Sequence, residues 1–549
     1  MTHHTSAGVV PWPQEFAERY RSEGRWKDRT LVDALTEAAA RSDRTALVDG
    51  QVRIGYPELM DRVEAGAARL LRLGLDPDDR IVVQLPNGWQ FVVLLLACFR
   101  AGIVPVMAMP AHRAHELTAI AEVAEARALA VPDELKGFDH RALARRVAEE
   151  VPTVEHVLVS GGDGDAGLEG LLAPGPVPGA APVVSPDPGA VALFLLSGGT
   201  TGLPKLIART HRDYEYNVRE CARVSGLDGG SVYLAALPAS HNFPLACPGL
   251  LGALFAGGTV VMLSSPEPAR AFAAVAGEGV TMTAVVPAVA QRWLEHAEGS
   301  GGASALSSLS VLQVGGSRLP DEIAARVRPA LGCTLQQVFG MAEGLINMTR
   351  LDDPEEVVTS TQGRPVSDAD EVRIVDAFGQ DLPDGRAGSI LTRGPYTPRG
   401  HYRAPEADGR SFVEGWYSSG DIVLRRTDGN LVVQGRDKDL INRAGEKISA
   451  EEVESLVYRV ADVEMAAAVA MPDPVMGERL CLYVTVREGG HTTLDEVRDT
   501  LSAAGLAAFK LPERLEVVDL IPMTKVGKID KKHLREDISA RLASGTSTV

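Results

Sequence analysis

Short runs of apolar residues recur along the first two thirds of the chain, and most of them end at Gly, Pro or Asn. Helix-favouring stretches rich in Ala, Leu, Glu and Arg separate these runs. This alternation is typical of α/β units with mostly parallel sheets, whose strands are buried on both faces. We predict strands at IVVQLPNG (81–88), VALFLLSGG (191–199), VYLAALP (232–238), TVVML (259–263) and VLQVGG (311–316), and helices at LVDALTEAAARS (31–42) and HELTAIAEVAEARALA (115–130).

The pattern changes after about residue 370. The segment 371–394 alternates apolar and polar residues around a DG turn, which indicates antiparallel strands. The segment GRDKDLINRAGEK (435–447) is dense in charged and turn residues, so we predict an interdomain hinge there. The rest alternates helix-like and strand-like segments. We therefore predict a large N-terminal domain (1–436), with mostly parallel sheets and a β-rich subdomain, and a small mobile α+β C-terminal domain (437–549).

Composition and charge exclude several classes of protein. The chain has 549 residues, a formal net charge of -18 and a pI of about 5.2, which disfavours nucleic acid or an anionic membrane as the main partner. The longest apolar run, FVVLLLACF (91–99), is far shorter than the ~20 residues that cross a bilayer, so we expect a core helix there. Five scattered cysteines and no secretory signal lead us to expect a cytoplasmic location.

The segment SGGTTGLPK (197–205) is a candidate phosphate-binding loop. A buried strand runs into small and hydroxyl residues and stops at a lysine. Glycines let backbone N–H groups approach an anion, and Ser and Thr hydroxyls add donors. The loop is not a Walker A motif, because Leu203 and Pro204 separate Gly202 from Lys205.

Together with four later motifs, this loop resembles the ANL superfamily of acyl-CoA synthetases, peptide-synthetase adenylation domains and luciferases. The later motifs stand in the family's order and extend the resemblance over nearly the whole chain. They are QQVFGMAEG (336–344), YSSGD (417–421), GRDKDLINRAGEKISAEEVE (435–454) and PMTKVGK (522–528).

The resemblance implies that ATP and Mg²⁺ bind in the large domain. Glu343, together with Thr200, would supply hard oxygen ligands to Mg²⁺. The Asp421 carboxylate, predicted to lie in a Gly-bounded turn, would accept from the ribose hydroxyls, and Arg436 would assist as a fork donor. The ATP-binding set is Ser197, Gly198, Gly199, Thr200, Thr201, Lys205, Gly315, Gly316, Val338, Phe339, Gly340, Met341, Glu343, Asp421, Arg436 and Lys528.

The resemblance also names the residues that act on the reacting groups. Lys528, on a glycine-flanked loop, would offset the charge repulsion between the substrate carboxylate and the α-phosphate. Lys438 would be the hinge residue about which the small domain rotates before a thiol takes the acyl group. His241 would close over the acyl site.

The segment SHNFPLACPG (240–249) resembles the acyl-pocket motif of stand-alone aryl-acid ligases that start siderophore assembly. Relatives that activate amino acids usually carry an aspartate at the position of Asn242, where it pairs with the substrate ammonium. The neutral Asn242 therefore implies an acid without an α-amine, and Phe243 offers it a flat apolar wall. We assign Gly316 and Ile346 to the same pocket.

Cys247 bears on the choice of acid. The resemblance places serine here in ligases for 2,3-dihydroxybenzoate and cysteine in those for salicylate. A thiol is a weak hydrogen-bonding group, so a 3-hydroxyl buried against it would lose about 1–3 kcal/mol. This favours salicylate, although Met348 departs from the dihydroxybenzoate pattern and leaves methylated salicylates open.

The sequence therefore predicts a salicylate–AMP ligase that passes the salicyl group to the phosphopantetheine thiol of a separate aryl carrier protein. A 2,3-dihydroxybenzoate–AMP ligase is the nearest alternative. An aryl-CoA ligase and a catalytically silent binding protein on the same fold are more distant alternatives.

Overall fold

The structure of the chain is a computed structural model. It describes residues 7–161, 167–197, 204–300, 302–436, 439–443, 446–473, 476–504, 506, 508–524 and 527–543. The described part combines α-helices with four larger sheets and a two-stranded ribbon.

The helices are α1 (Gln14–Ser22), α2 (Leu31–Ala39), α3 (Tyr56–Arg72), α4 (Trp89–Ala101), α5 (Ala114–Ala124), α6 (His140–Glu150), α7 (Leu168–Leu171), α8 (His211–Val224), α9 (Asn242–Ala246), α10 (Gly249–Phe255), α11 (Pro268–Glu278), α12 (Pro287–Ser300), α13 (Asp321–Leu331), α14 (Glu355–Ser360), α15 (Pro405–Ser411), α16 (Ala450–Val457), α17 (Leu494–Ala503) and α18 (Lys531–Ala543).

The strands of the first two thirds are β1 (Thr45–Asp49), β2 (Val52–Gly55), β3 (Arg80–Val83), β4 (Val104–Met107), β5 (Ala126–Pro132), β6 (Glu134–Leu135), β7 (Phe138–Asp139), β8 (His156–Ser160), β9 (Val191–Leu196), β10 (Leu206–Thr210), β11 (Val232–Ala235), β12 (Thr259–Met262), β13 (Met282–Val285), β14 (Val311–Gly315), β15 (Thr334–Met341), β16 (Gly344–Met348) and β17 (Arg364–Pro365).

The remaining strands are β18 (Glu371–Val375), β19 (Ala387–Arg393), β20 (Phe412–Val413), β21 (Trp416–Arg425), β22 (Leu431–Arg436), β23 (Ile441–Arg443), β24 (Glu446–Ile448), β25 (Val463–Asp473), β26 (Gly477–Val486) and β27 (Arg514–Val517). Short 3₁₀ helices cover Gly302–Leu306 and Ala508–Lys510.

Two mostly parallel sheets form the body of the N-terminal part. The nine-stranded sheet has the order β17-β16-β15-β14-β13-β11-β12-β1-β2, and β1 and β11 to β15 pair in parallel. The six-stranded sheet has the order β10-β9-β4-β3-β5-β8, with only β10 antiparallel to its neighbour. Strands β11 to β14 are wholly buried, as their continuous apolar runs predict.

Two mostly antiparallel sheets follow, as the alternating pattern predicts. One contains β18 to β22, and the other contains β23 to β27, in which only β27 pairs in parallel with its neighbour. The predicted fold class, large α/β sheets with a β-rich subdomain and a small α+β part, is confirmed. The domain boundary at residues 436 and 437 stays a prediction.

One predicted helix needs correction, and one helix was not predicted. The segment 115–130 is not one helix, because α5 ends at Ala124 and the segment continues as β5; Glu125 adopts a left-handed conformation with φ +49° that ends the helix. The sequence also gave no indication of α18, which has polar residues on most sides and buries only Leu534 and Ile538 among its described side chains.

The apolar run 91–99 lies within α4 and is buried along its whole length, as predicted for a core helix. Among the residues described, none of the helices combines the length and hydropathy of a membrane span.

The start of α8 is fixed by a buried ion pair. Thr210 caps the helix and Asp213 completes a capping box. The Arg209 Nε donates to Asp213 Oδ1 at 2.6 Å, and both side chains are fully buried. Arg209 Nη1 also donates to the carbonyl oxygen of Ala342 at 3.2 Å, so the pair joins β10 and α8 to the turn after β15.

We expect Asp213→Ala to lower the free energy of unfolding by about 3–5 kcal/mol, because it leaves the Arg209 charge buried without a partner. Urea unfolding followed by circular dichroism measures this. The control is Glu150→Ala, which breaks an Arg146–Glu150 pair of the same spacing whose side chains are 65% and 41% exposed. Equal stability of the two variants would contradict the prediction.

Candidate active site

The predicted acyl-pocket residues lie on the chain that leaves the buried strand β11. His241 is the N-cap of α9, and its Nδ1 accepts from the backbone N–H of Phe243 at 3.3 Å. Asn242 and Phe243 form the first turn of α9 and are buried, and Cys247 follows the helix directly. The short helix therefore holds these four residues together at the carboxyl end of β11, where open α/β sheets bind ligands.

Phe243 lies against the carboxyl ends of β14 and β15. A Cβ built on Gly315 would lie 3.0 Å from Phe243 Cζ and 2.8 Å from the carbonyl oxygen of Val338. No side chain larger than hydrogen fits at position 315, so the glycine is required by the close approach of the ring. The structure thus brings Phe243, Gly315 and Val338 together, as a site shared by the acyl group and the nucleotide requires.

Ile346, another predicted pocket residue, lies on β16 and is buried. It pairs with Gly340 across β15 and β16, where a Cβ on the glycine would lie 3.1 Å from Ile346 Cγ1. The backbone N–H of Ile346 donates to Tyr396 Oη at 3.2 Å, and the Tyr396 hydroxyl in turn donates to the half-buried Asp370. A hydrogen bond to Tyr396, which lies outside the sheet, therefore fixes the backbone of Ile346.

Asn242 makes hydrogen bonds with Tyr214 and Cys247. The hydroxyl of Tyr214 on α8 donates to Asn242 Oδ1 at 2.7 Å. Asn242 Nδ2 donates to Cys247 Sγ at 3.5 Å, and Cys247 Sγ donates to the backbone oxygen of Asn242 at the same distance. The Asn242 amide is thereby held between a phenol and a thiol.

The side chain of Lys528, in the C-terminal part of the chain, lies close to the predicted acyl-pocket residues. A Cβ on Gly316 would lie 3.7 Å from Lys528 Cε, so the lysine stem lies directly on that glycine, which has φ +91°. Burial, and then the charge of Arg436, lower the pKa of Lys528 to about 8, while Asp421 acts in the opposite direction. Burial, and then the charge of Lys528, lower the pKa of His241 to about 4. Lys528 is therefore close enough to His241 on one side, and to Arg436 and Asp421 on the other, for electrostatic interactions between them to shift pKa values.

Asp421 and Arg436 face each other across an antiparallel ladder. They are cross-strand partners on β21 and β22, and Arg436 Nε donates to Asp421 Oδ1 at 3.0 Å. The sequence places Asp421 in a turn, which is wrong: it lies within β21, one residue after Gly420 at φ +76° and beside an irregularity in the ladder. The buried carboxylate is held in place by its ladder partner.

Glu343 lies in the tight turn between β15 and β16 and is buried. His401 Nε2 lies 3.3 Å from Glu343 Oε1, and His401 Nδ1 lies 2.6 Å from Asp408 Oδ1. Burial acts to raise the pKa of Glu343, but its hydrogen bonds with His401 and Tyr417 and the charge of His401 outweigh it, so the pKa is lowered. The carboxylate is therefore kept ionised, as a ligand of a hard cation must be.

The remaining predicted nucleotide residues lie on β15 and in the phosphate loop. Phe339 and Met341 alternate with Val338 and Gly340 along β15, and their side chains pack on the apolar cluster of the β18–β22 sheet. The two ends of the phosphate loop bond to each other: Lys205 N donates to Ser197 Oγ and Ser197 N donates to the Lys205 carbonyl, both at 3.0 Å. Outside the described residues lie Gly198, Gly199, Thr200, Thr201 and the hinge candidate Lys438.

Sequence reasoning missed four residues that support the site. Tyr214 and Arg209 hold Asn242 and the turn that carries Glu343, and His401 and Tyr417 bond to Glu343 itself. Tyr417 stands inside the quoted motif YSSGD, and the spacing of Thr210 and Asp213 is a capping-box signal next to a strand. Nothing in the sequence around His401 points to Glu343, because their contact joins positions 58 residues apart.

Comparison with known proteins identifies the family of the chain. The family model "AMP-binding enzyme" matches residues 35–402, and "AMP-binding enzyme C-terminal domain" matches residues 452–528. A Streptomyces protein named salicylyl-CoA synthase / salicylate adenylyltransferase is 56% identical, over 98% of this chain and 99% of its own length.

A 2,3-dihydroxybenzoate-AMP ligase of Bacillus subtilis is 48% identical, over 98% of this chain and 99% of its own length. The solved apo structure of Mycobacterium smegmatis MbtA is 47% identical, with a TM-score of 0.73, and covers 96% of this chain and 99% of the other. The chain belongs to the AMP-binding enzyme family.

Proposed function

We propose that the chain is a salicylate–AMP ligase. A carboxylate oxygen of salicylate attacks the α-phosphorus of ATP, the new O–P bond forms, the bond from the α-phosphorus to the β-phosphate oxygen breaks, and pyrophosphate leaves with both electrons of that bond. The salicyl group then passes from AMP to a thiol. A 2,3-dihydroxybenzoate–AMP ligase is the second candidate, because a relative with that name is 48% identical over nearly the whole chain.

The observation that carries the proposal is the position of Lys528. Its stem lies on Gly316, and its charge acts on His241, one of the predicted acyl-pocket residues. The charges of Asp421 and Arg436, which belong to the predicted nucleotide site, act on Lys528 from the other side. The reaction brings together a carboxylate and a phosphate, both negative, and an ammonium between them stabilises the charge that builds up in the transition state. This position supports the proposed role of Lys528.

The pocket residues support an aromatic acid without an amine. Asn242 is neutral, and its side-chain hydrogen bonds go to the Tyr214 hydroxyl and the Cys247 sulfur, so its described contacts include no carboxylate that would pair with a substrate ammonium. Phe243 supplies a flat apolar face beside Gly315. Cys247 offers sulfur rather than oxygen, and a substrate hydroxyl buried against it would be poorly satisfied. These contacts favour salicylate over 2,3-dihydroxybenzoate.

The residues around Glu343 fit a magnesium ion bound together with the nucleotide. Among the described residues, no three His, Cys, Asp or Glu side chains converge into a metal site. Mg²⁺ commonly binds through one or two carboxylates and the phosphates of its substrate, and the ionised Glu343 is such a ligand. The ion would neutralise phosphate charge, Glu343 would hold it, and Thr200 is its second predicted ligand.

Asp421 would accept from the ribose hydroxyls, with Arg436 fixing the carboxylate from the neighbouring strand. For the second step we propose the phosphopantetheine thiol of a separate carrier protein as acceptor, after rotation of the C-terminal part about Lys438. Free CoA is the alternative acceptor, because the 56% identical relative is named a salicylyl-CoA synthase.

ATP–pyrophosphate exchange with a panel of acids tests the proposal. We expect salicylate to support exchange at the highest kcat/KM, with 2,3-dihydroxybenzoate about tenfold or more below it. A higher kcat/KM for 2,3-dihydroxybenzoate would establish the second candidate, and no exchange with any benzoate would contradict both. A carrier protein and CoA, offered in parallel to the preformed salicyl-AMP, separate the two acceptors.

We expect Lys528→Ala to lower kcat/KM for adenylation by a factor on the order of 10²–10³, because the charge that stabilises the transition state is lost. The thermal midpoint should stay within about 2 °C of the unmodified protein. Lys532→Ala, four residues along at a side chain that is 67% exposed, is the control and should keep full activity. Loss of folding in Lys528→Ala would assign this lysine a structural role instead.

The pH profile of kcat/KM for ATP should fall above about pH 8, because this constant reports the free enzyme, in which the pKa of Lys528 is about 8. The ammonium is the active form, so activity is present below that pKa and drops about tenfold per pH unit above it. Lys528→Arg keeps its charge over this range. Its profile should lack the alkaline fall, and an unchanged fall would show that another group titrates.

We expect Cys247→Ser to raise the kcat/KM ratio of 2,3-dihydroxybenzoate to salicylate by about tenfold, because a serine hydroxyl satisfies a 3-hydroxyl better than a thiol does. Cys333→Ser is the matched control, since Cys333 and Cys247 are equally buried at 3% exposure. If both variants keep the ratio of the unmodified protein, Cys247 has no part in selecting the acid.

A further inference from the structure

Two tyrosines of helix α8 are buried and have their hydroxyls hydrogen-bonded, but they serve different partners. Tyr214 donates to Asn242 Oδ1 at 2.7 Å, whereas Tyr216 shares a hydrogen bond with Ser367 Oγ at 2.6 Å. Both rings are at most 1% exposed. Of these two tyrosines, only Tyr214 therefore bonds to a residue of the predicted acyl pocket.

The hydrogen bonds around Asn242 determine which way its amide faces. The Cys247 thiol donates its proton to the backbone oxygen of Asn242, so toward the side chain it presents a lone pair and accepts from Nδ2. The amide oxygen is left to face the Tyr214 hydroxyl, which has a proton to donate. Reversing the amide would set its oxygen against the sulfur lone pair and break the existing pattern of donors and acceptors.

The Tyr214 ring is held in turn by a buried charge. The guanidinium carbon of Arg209 lies 4.7 Å from the ring centroid, and Arg209 is itself fixed by Asp213 and the Ala342 carbonyl. Burial raises the pKa of Tyr214 well above its usual value, so the phenol stays protonated and remains a donor. The amide oxygen of Asn242 is therefore permanently engaged.

We propose that Tyr214 is a positioning residue that makes the pocket selective for acids with a hydrogen-bond acceptor ortho to the carboxyl group. With Oδ1 engaged by Tyr214 and one N–H by Cys247, the second N–H of Asn242 is the group left to bond to a substrate oxygen. A salicylate hydroxyl oxygen accepts this bond. The proposal rests on the proposed function, because it assumes that Asn242 faces the aromatic ring of the acid.

The same geometry disfavours two close analogues of salicylate. Benzoate has no ortho group and leaves the N–H without a partner. Anthranilate carries an amine whose lone pair is delocalised into the ring, so it offers donors where an acceptor is needed. A polar site that loses its partner discriminates far more strongly than an apolar pocket that gains a group.

The test is Tyr214→Phe in the full chain, assayed by ATP–pyrophosphate exchange with salicylate, benzoate and anthranilate. We expect KM for salicylate to rise about tenfold, with benzoate kcat/KM changed less than about twofold, so that the salicylate preference is largely lost. Tyr216→Phe is the matched control: it removes a hydroxyl of the same helix and the same burial, but should keep the preference.

A double-mutant cycle with Asn242→Ala shows whether Tyr214 acts through the amide. In the Asn242→Ala background, Tyr214→Phe should no longer alter the preference ratio. An equal loss with all three acids, or the same change in ratio in both backgrounds, would overturn the proposal and leave Tyr214 a structural residue.

The unmodified protein gives an arm that needs no variant to fold. We expect it to prefer salicylate to anthranilate by at least about tenfold, and equal or better use of anthranilate would overturn the inference about Tyr214 while leaving aryl-acid adenylation intact. The absence of exchange with every benzoate offered would overturn the proposed function, and this inference with it.

Discussion

The proposed mechanism depends on one partly desolvated ammonium, that of Lys528. Lys528 has its pKa lowered to about 8 because it is removed from water and lies near Arg436, and Asp421 and Glu451 offset part of that cost. A cation in such a place is unfavourable until negative charge arrives beside it. A carboxylate and a triphosphate supply that charge. Burial, which destabilises the ammonium in the free protein, then strengthens its attraction to these negative groups as the reaction proceeds.

The backbone on both sides of Lys528 is adapted to this approach. Gly316 and Gly527 have φ of +91° and +79°, a region that favours glycine, and the lysine stem lies on the first of them. The C-terminal part is held in this position by polar contacts with the N-terminal part. The backbone N–H of Asp321 donates to Ser455 Oγ at 3.4 Å, and Arg459 pairs with Glu322.

The side chains of Arg459 and Glu322 are 46% and 27% exposed, and surface ion pairs contribute little to stability. Under the proposed mechanism, the C-terminal part carries Lys528 away once the first reaction is complete. The acyl side contrasts with this, because Asn242, Phe243 and Cys247 are held by buried hydrogen bonds and by close contact with the sheet. The predicted pocket is thus held by contacts within the N-terminal part, independently of Lys528.

The sequence predicted the fold class well, because buried parallel strands give continuous apolar runs and the later antiparallel strands alternate. It failed where the local signal is ambiguous. Helix α5 passes into β5 without a glycine or proline, and α18 has little apolar surface. Asp421 was placed in a turn because a glycine precedes it, whereas the strand simply accommodates that glycine.

Site residues that belong to contiguous motifs could be predicted, since such motifs are visible in one short stretch. The supporting residues could not be, because they act across long separations. His401 meets Glu343 from the loop between β19 and α15, and Arg209 meets the carbonyl of Ala342 over 133 positions. Tyr214 lies 28 residues from Asn242 on another helix, and only the packing of α8 against α9 shows that the two are bonded.

The most direct test of the role of Lys528 is the structure of the protein bound to a nonhydrolysable mimic of salicyl-AMP. We expect Lys528 Nζ to lie within about 3 Å of oxygens on both the acyl group and the phosphate mimic, with the ring beside Phe243 and the ribose on Asp421. A ligand bound with its acyl–phosphate linkage away from Lys528, or with the ring outside the group formed by Asn242, Phe243 and Gly316, would contradict it.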